Sequence, residues 1–340
     1  MLLLFLSTVV CDNWAVILTG GKGWTRYFES ADSFYQYHLL IQNGFDKNKI
    51  ILMDCDDIAL SPRNMYPGQV FHNLNHSINV YPGSENIAYR GENVTSQNFY
   101  NVLLGNTSNG PALLSNEFDN VYIFYTGDRS MQFLTLPDEN DYLLFDTLQK
   151  IIQQMSTNKK FKHLFFAISV EAFFLHGFSL IPNVYILTGA QGKYEFQDPI
   201  LGNVYLTQEF PLTMSTFIET HPDGTFKDMI KYFKFYGSSI NELSDLSMNT
   251  MKIAEFLCGQ NKKDSKVYKS LRKIFASDEM EAMNDMAHVK NKYFYRSAVN
   301  ELKKCKKFLS DEEYNEVLNL AKLIKYVNGN KIAEEIKNLC

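Results

Sequence analysis

Three stretches of the 340-residue chain hold side chains able to do chemistry. In 120-NVYIFYTGDRSMQF-133 an apolar run, Val121 to Tyr125, delivers Thr126, Gly127, Asp128 and Arg129 to a turn. In 53-MDCDD-57 a thiol, Cys55, stands among the carboxylates of Asp54, Asp56 and Asp57. The stretch 164-LFFAISVEAFF-174 carries Ser169 and Glu171, with His163 before it and His176 after it. A side-chain nucleophile works only with a base beside it or a depressed pKa. Cys55 has no histidine near it in sequence and reads as a buried, inert thiol. Ser169 reads as a core or turn serine, and the two histidines as surface residues. Asp128 beside Arg129 reads as a surface ion pair. Three carboxylates without further ligands do not make a metal site, so no metal and no cofactor is expected.

These stretches sit at the ends of strand-like runs. Trp14–Thr19, Ile50–Met53, Val121–Tyr125, Leu164–Ile168 and Val184–Thr188 are near-continuous apolar segments, the pattern of strands buried on both faces. Apolar residues at helical spacing fill Gln97–Leu104, Ala31–Asn43, Tyr142–Met155, Val204–Glu219 and Phe226–Tyr236. Alternation of the two predicts an α/β fold, a mostly parallel sheet flanked by helices. In such sheets chemistry gathers at the carboxyl ends of strands. Ser61 to Ser115 is rich in Asn, Gly, Ser and Pro and reads as loops. Residues 251–340 contain no proline and many Lys and Glu, which predicts a second, all-helical C-terminal domain after a linker at Gly237–Asp245.

Composition is that of a folded protein, 45% hydrophobic and 14% aromatic. The run 1-MLLLFLSTVV-10 is expected to be a signal peptide covering residues 1–11, and no transmembrane anchor is expected. Asn75, Asn93 and Asn106 each begin a glycosylation sequon, in keeping with secretion. Cys305 and Cys340 are a candidate disulfide within the tail. The net charge of -5 is unevenly spread: residues 260–340 hold 17 basic against 12 acidic side chains, so the body is acidic and the tail basic. That asymmetry favours docking of the C-terminal domain on the body. Nothing interleaves aromatic and basic residues as a nucleic-acid surface would.

Several blocks taken together resemble the legumain (asparaginyl endopeptidase) family of caspase-fold cysteine peptidases. They are 14-WAVILTGGKGW-24, 31-AD-32, 43-NGFDKNKIILMDCDDIALSPRN-64, 66-YPGQVF-71 and 89-YRGENVTSQNFYNVLLG-105. The likeness spans roughly residues 13–240 and divides the chain into a caspase-like domain, 12–243, and a prodomain-like tail, 250–340. Glycosylphosphatidylinositol transamidases are close relatives, and Ser61-Pro62-Arg63-Asn64 resembles their version of that loop. The charged, helical tail favours legumain.

The resemblance implies a histidine followed by glycine after the third strand, and a cysteine after the fourth. Those positions hold Asp128 and Arg129, and Val170. It also implies an asparagine-binding pocket from an arginine and two acidic residues, at positions held here by Phe28, Ile168 and Asn203. Dyad and pocket have changed together. The expectation is a catalytically inactive relative in the secretory pathway, lysosomal, vacuolar or extracellular, that binds a peptide or protein ligand or pairs with an active relative. The alternative is a divergent asparaginyl peptidase or a transamidase-like acyl-transfer enzyme with displaced groups. Asn249, Asn261 and Asn284 are candidate points at which the tail would be released.

Overall fold

The computed structural model describes residues 12–170, 178, 181–189, 193–257, 301–311, 313–314, 317–318 and 336–337. In chain order the elements are β1 (Asn13–Thr19), α1 (Tyr27–Gln42), β2 (Ile50–Met53), α2 (Ser96–Leu104), β3 (Asn120–Thr126), β4 (Phe133–Thr135), β5 (Tyr142–Leu144) and α3 (Phe145–Thr157). There follow β6 (His163–Ile168), β7 (Val184–Gly189), β8 (Tyr194–Asp198), β9 (Val204–Gln208), α4 (Glu209–Thr220), α5 (Phe226–Phe235), β10 (Ile240–Ser244) and α6 (Ala254–Leu257).

Six strands form one sheet in the order β10-β7-β6-β3-β1-β2. All neighbours are parallel except β10, which runs antiparallel to β7. The five predicted strands are therefore the five parallel ones, and the α/β reading holds. Alternation along each strand sorts side chains onto two faces. Leu18, Met53, Tyr125, Ile168 and Ile186 join Phe99, Val102, Leu148 and Ile152 of α2 and α3 in one apolar cluster. The opposite face meets α1, where the Tyr122 hydroxyl donates to Gln36 Oε1 at 3.0 Å.

Helix ends follow their local chemistry. Thr95 caps α2 by accepting from Asn98 N at 3.1 Å, and Gly105 ends it at φ 77°, a conformation that only glycine adopts without strain. Among the boundaries that differ from expectation, three change the type of element. Tyr142–Leu144 pairs with β4, so the helix starts only at Phe145. Val204–Gln208 pairs with β8, so that helix starts at Glu209. Ile240–Ser244, expected within a linker, forms the antiparallel edge strand β10.

The chain divides into two compact units. The first comprises Met1–Leu212, Ser238–Asn249 and Glu255–Asn261, and holds the sheet. The second comprises Thr213–Gly237, Thr250–Ala254 and Lys262–Cys340. In the second, a capping box between Thr225 and Asp228 starts α5, and His221 stacks on Phe217 at 4.6 Å. Cys305 is buried and disulfide-bonded, while Cys340, its expected partner, lies outside the described residues. So do residues 1–11, His176, Asn261 and Asn284. Among the described residues, no helix is long and apolar enough to cross a membrane.

Candidate functional site

Strand order reverses between β1 and β3, because the chain leaves β1 for β2 on one side and returns to β3 on the other. Such a switch point opens a crevice at the carboxyl ends of the two strands. Here the ends are Thr19-Gly20-Gly21 and Thr126-Gly127-Asp128. Gly20 N donates to Thr126 O at 2.6 Å, which holds the two ends together. The buried Tyr125 hydroxyl lies 2.8 Å from Asp128 O and 2.9 Å from Thr135 O. A Cβ on Gly20 or on Gly127 would collide with that hydroxyl, so both positions need glycine for space. Thr135 N donates to Asp128 O at 2.9 Å, and Asp128 N donates to Thr135 Oγ1 at 3.1 Å. The backbone carrying Asp128 is thus fixed from three sides.

The Asp128 side chain is 39% exposed and accepts from Arg26 Nη1 at 2.7 Å. Arg26 also donates to Glu29, which is fully buried one turn into α1. Arg26 loses hydration on burial, yet Glu29 and Asp128 together hold its guanidinium well above the ordinary value. Burial pushes the Glu29 carboxyl up to about 8, against the pull of Arg26. The result is a Glu29–Arg26–Asp128 bridge across the crevice, from α1 to the turn after β3.

A second feature runs across the sheet on the α1 face. Thr19 pairs in register with Thr126, Asp54 follows the pair Leu18–Met53, and Ser169 follows the pair Tyr125–Ile168. Asp54, Thr19, Thr126 and Ser169 therefore form one row across β2, β1, β3 and β6, and all four are buried. Thr19 Oγ1 donates to Ser33 Oγ at 2.8 Å. Asp54 Oδ2, Thr126 Oγ1 and Ser169 Oγ meet no hydrogen-bonding protein group. Burial pushes the Asp54 carboxyl up to about 6, opposed by hydrogen bonds from Thr19, Asp56 N and Ser30.

A family model for the peptidase C13 family matches residues 13–260. The chain belongs to the peptidase C13 family. Similar C13-related proteins include a Drosophila melanogaster protein provisionally named GPI-anchor transamidase, 35% identical over 217 residues, which are 61% of this chain and 61% of that protein. The Saccharomyces cerevisiae GPI-anchor transamidase is 28% identical over 235 residues, 66% of this chain and 57% of its own length. The Schistosoma mansoni hemoglobinase is 35% identical over 166 residues, 48% of this chain and 37% of its own. The chain thus spans about six-tenths of the two transamidases.

The positions that the C13 likeness singles out fall in different surroundings. Asp128 is at the crevice, in the ion pair with Arg26. Val170 is buried in the apolar cluster with Tyr125 and Ile168, on the face away from the polar row. Ile168, expected at the pocket, lies in the same cluster. Phe28 sits in the first turn of α1 and packs on Tyr194 of β8, ring centroids 4.9 Å apart. Asn203 is exposed in the β8–β9 turn at φ 62°. The fold thus joins Phe28 to the hairpin that carries Asn203, and sets Ile168 apart in the core.

Other candidates resolve as structural groups. Cys55 is half-buried, and burial beside Asp54 and Asp57 pushes its thiol up to about 12. Asp56 accepts from Tyr81 at 2.7 Å and from Ser84 at 2.6 Å, and Asp57 from Gly23 N at 2.6 Å, so these carboxylates tie loops together. Among the described residues, no group of three or more His, Cys, Asp or Glu could hold a metal ion. His163 opens β6, at the amino end of the sheet, and contacts Asn120 at 3.1 Å. Asn75, Asn93 and Asn106 are all exposed. Asn75 and Asn106 each accept from the backbone two residues on, at 3.0 Å, whereas Thr95 of the Asn93 sequon is occupied as the α2 cap.

Arg26, Glu29, Tyr194 and the fastening of the β8–β9 hairpin were not foreseen. Asp32 accepts from Thr207 Oγ1 at 2.6 Å and from Gln208 N at 3.2 Å, and pairs with His72 at 2.9 Å. Asp198 pairs with His76 and accepts from Ile200 N at 2.7 Å. The i,i+3 spacing of Arg26 and Glu29 beside Gly20-Gly21 was the one visible signal for the bridge.

Proposed function

We propose that this C13 protein holds a peptide at its sheet crevice without cutting it, and that it stands on the transamidase side of the family rather than the legumain side. The observation that carries the reading is the state of the two positions where the family likeness places a reactive pair. One is an aspartate already engaged by Arg26. The other is a valine packed in the core. A thiolate must attack the carbonyl and an imidazole must pass the proton to the leaving amine. Neither group stands at those positions. Resemblance to GPI-anchor transamidases supports the transamidase side, and exposed sequons with a disulfide at Cys305 support a place in the lumen of the secretory pathway. The full-length chain should not hydrolyse asparaginyl peptides between pH 4 and pH 8, while immobilised peptides should still retain it. Turnover above a heat-denatured control would refute this reading.

The second reading is an acyl-transfer enzyme with displaced groups, which the transamidase likeness favours. It needs a thiol, and Cys55 is the described free one. With its thiol pushed up to about 12, Cys55 stays protonated at neutral pH. Stoichiometric labelling of Cys55 by iodoacetamide at pH 7 in the folded protein would favour this second reading over the first.

A further inference from the structure

We propose that the crevice receives a basic side chain, Lys or Arg, of its peptide ligand, lodged on the Tyr194–Tyr205 shelf with its charged head at Asp128. This inference rests on the peptide-holding reading and names the ligand class of the same site.

The shelf is built from the two strands of the β8–β9 hairpin. Tyr194 and Tyr205 stack at 5.1 Å with planes 27° apart, and they remain 38% and 37% exposed. Phe28 backs Tyr194 from α1 at 4.9 Å. The Phe28 ring fills the position at which the likeness implies an arginine that grips asparagine. What it offers is an apolar wall, which has no partner for a neutral amide. Stacked tyrosine faces carry negative quadrupole potential and attract cations.

The charge pattern points the same way. Asp128 stands close enough to Tyr194 for its charge to raise the phenol, after burial, above its ordinary range. Arg26 occupies Asp128 Oδ2 at 2.7 Å, and the Asp128 side chain remains 39% exposed. Lys193, at the hairpin's entry, is engaged by Glu209 at 3.0 Å. Outside residues 260–340 the chain holds 16 basic against 26 acidic side chains, so the body as a whole carries a negative charge that favours the approach of a cation.

Four peptides, acetyl-Gly-Ser-Xaa-Ser-Gly-amide with arginine, citrulline, norleucine or asparagine at the centre, test this against the full-length chain by titration calorimetry. Citrulline keeps the shape of arginine and lacks its charge. Arginine should bind about tenfold tighter than citrulline, the size of one exposed cation–π contact with one partly solvated ion pair. That ratio should shrink as salt rises. D128N and Y194A should each bring it near one, while D128E should preserve most of it. Equal binding of arginine and citrulline would overturn the basic-residue inference and leave the peptide-holding reading in place. If none of the four binds at millimolar concentration, both fall.

Discussion

At the carboxyl ends of β2, β1, β3 and β6, the two faces of one sheet have opposite characters. On the α2–α3 face Met53, Leu18, Tyr125 and Ile168, then Val170, make a dry apolar layer. One residue on, the α1 face shows Asp54, Thr19, Thr126 and Ser169. A single step along a strand separates surroundings that suppress charge from surroundings that can host a proton. Position 170 falls in the first kind. Even a cysteine there would be costly to ionise, because burial in apolar surroundings disfavours a thiolate. In the proposed reading, loss of cleavage would then rest on the layer as well as on the residue at 170.

The largest expected effect comes from the bridge that closes over the polar face. R26M leaves Glu29 buried without its partner, and because that carboxyl titrates only near 8 the loss should be small at about pH 6 and should rise to about 3 kcal/mol above pH 8, read from urea denaturation. Equal losses at the two pH values would mean that Arg26 acts by packing and not by holding the charge of Glu29. The same carboxyl governs the pH dependence. Its folded value of about 8 lies above the ordinary 4.5, so its contribution is full below 4.5 and is lost as pH rises toward 8. Asp54, raised from 3.8 to about 6, loses its contribution between those values. Relative to E29Q the native chain should lose stability mainly in the upper part of the range from pH 4 to pH 8, and relative to D54N mainly in the lower part. All three share the opposite contribution of His38 and His221. Unchanged slopes in both variants would remove the buried acids from the account.

Along the polar row, paired substitutions separate a bonded hydroxyl from an unbonded one. T19V removes a hydroxyl that bonds Ser33 and Asp54 and should cost about 1–3 kcal/mol. T126V, at the paired register position, removes an oxygen without a protein partner and should be neutral or stabilising. Equal losses would show that the row is bonded throughout. On the dry face, V170C should barely shift the urea midpoint, and its thiol should react with iodoacetamide only on unfolding. Combining it with D128H should leave asparaginyl peptides uncut, since Phe28 still walls the crevice. D128A should cost less than about 1 kcal/mol, because its ion pair with Arg26 is partly solvated.

The parallel core was legible because Val16, Ile51, Ile123, Phe166 and Ile186 lie in runs buried on both faces, which no surface element needs. The hairpin was not. In 204-VYLTQ-208 the alternation of buried Val204, exposed Tyr205 and buried Leu206 lasts three residues before α4 begins, too short to interrupt a helical reading. β10 was missed for a different reason: Asn241 and Glu242 are poor strand formers, and pairing with β7 imposes the conformation. The first turn of α1 was missed because Gly23 precedes it and Arg26, at its start, provides no side-chain cap. Within the site, the positions of Asp128 and Val170 were legible from flanking residues. The partnership of Arg26 with Asp128 was not, since 102 residues separate them and only strand order brings them together.

The Tyr125 hydroxyl has a use for anyone wishing to rebuild this protein. Because one phenol ties together the main chain at 128 and 135, the loop between those anchors is a cassette with fixed ends. New sequences spliced into 129–134 would inherit a defined exit and re-entry, provided that positions 20 and 127 stay bare.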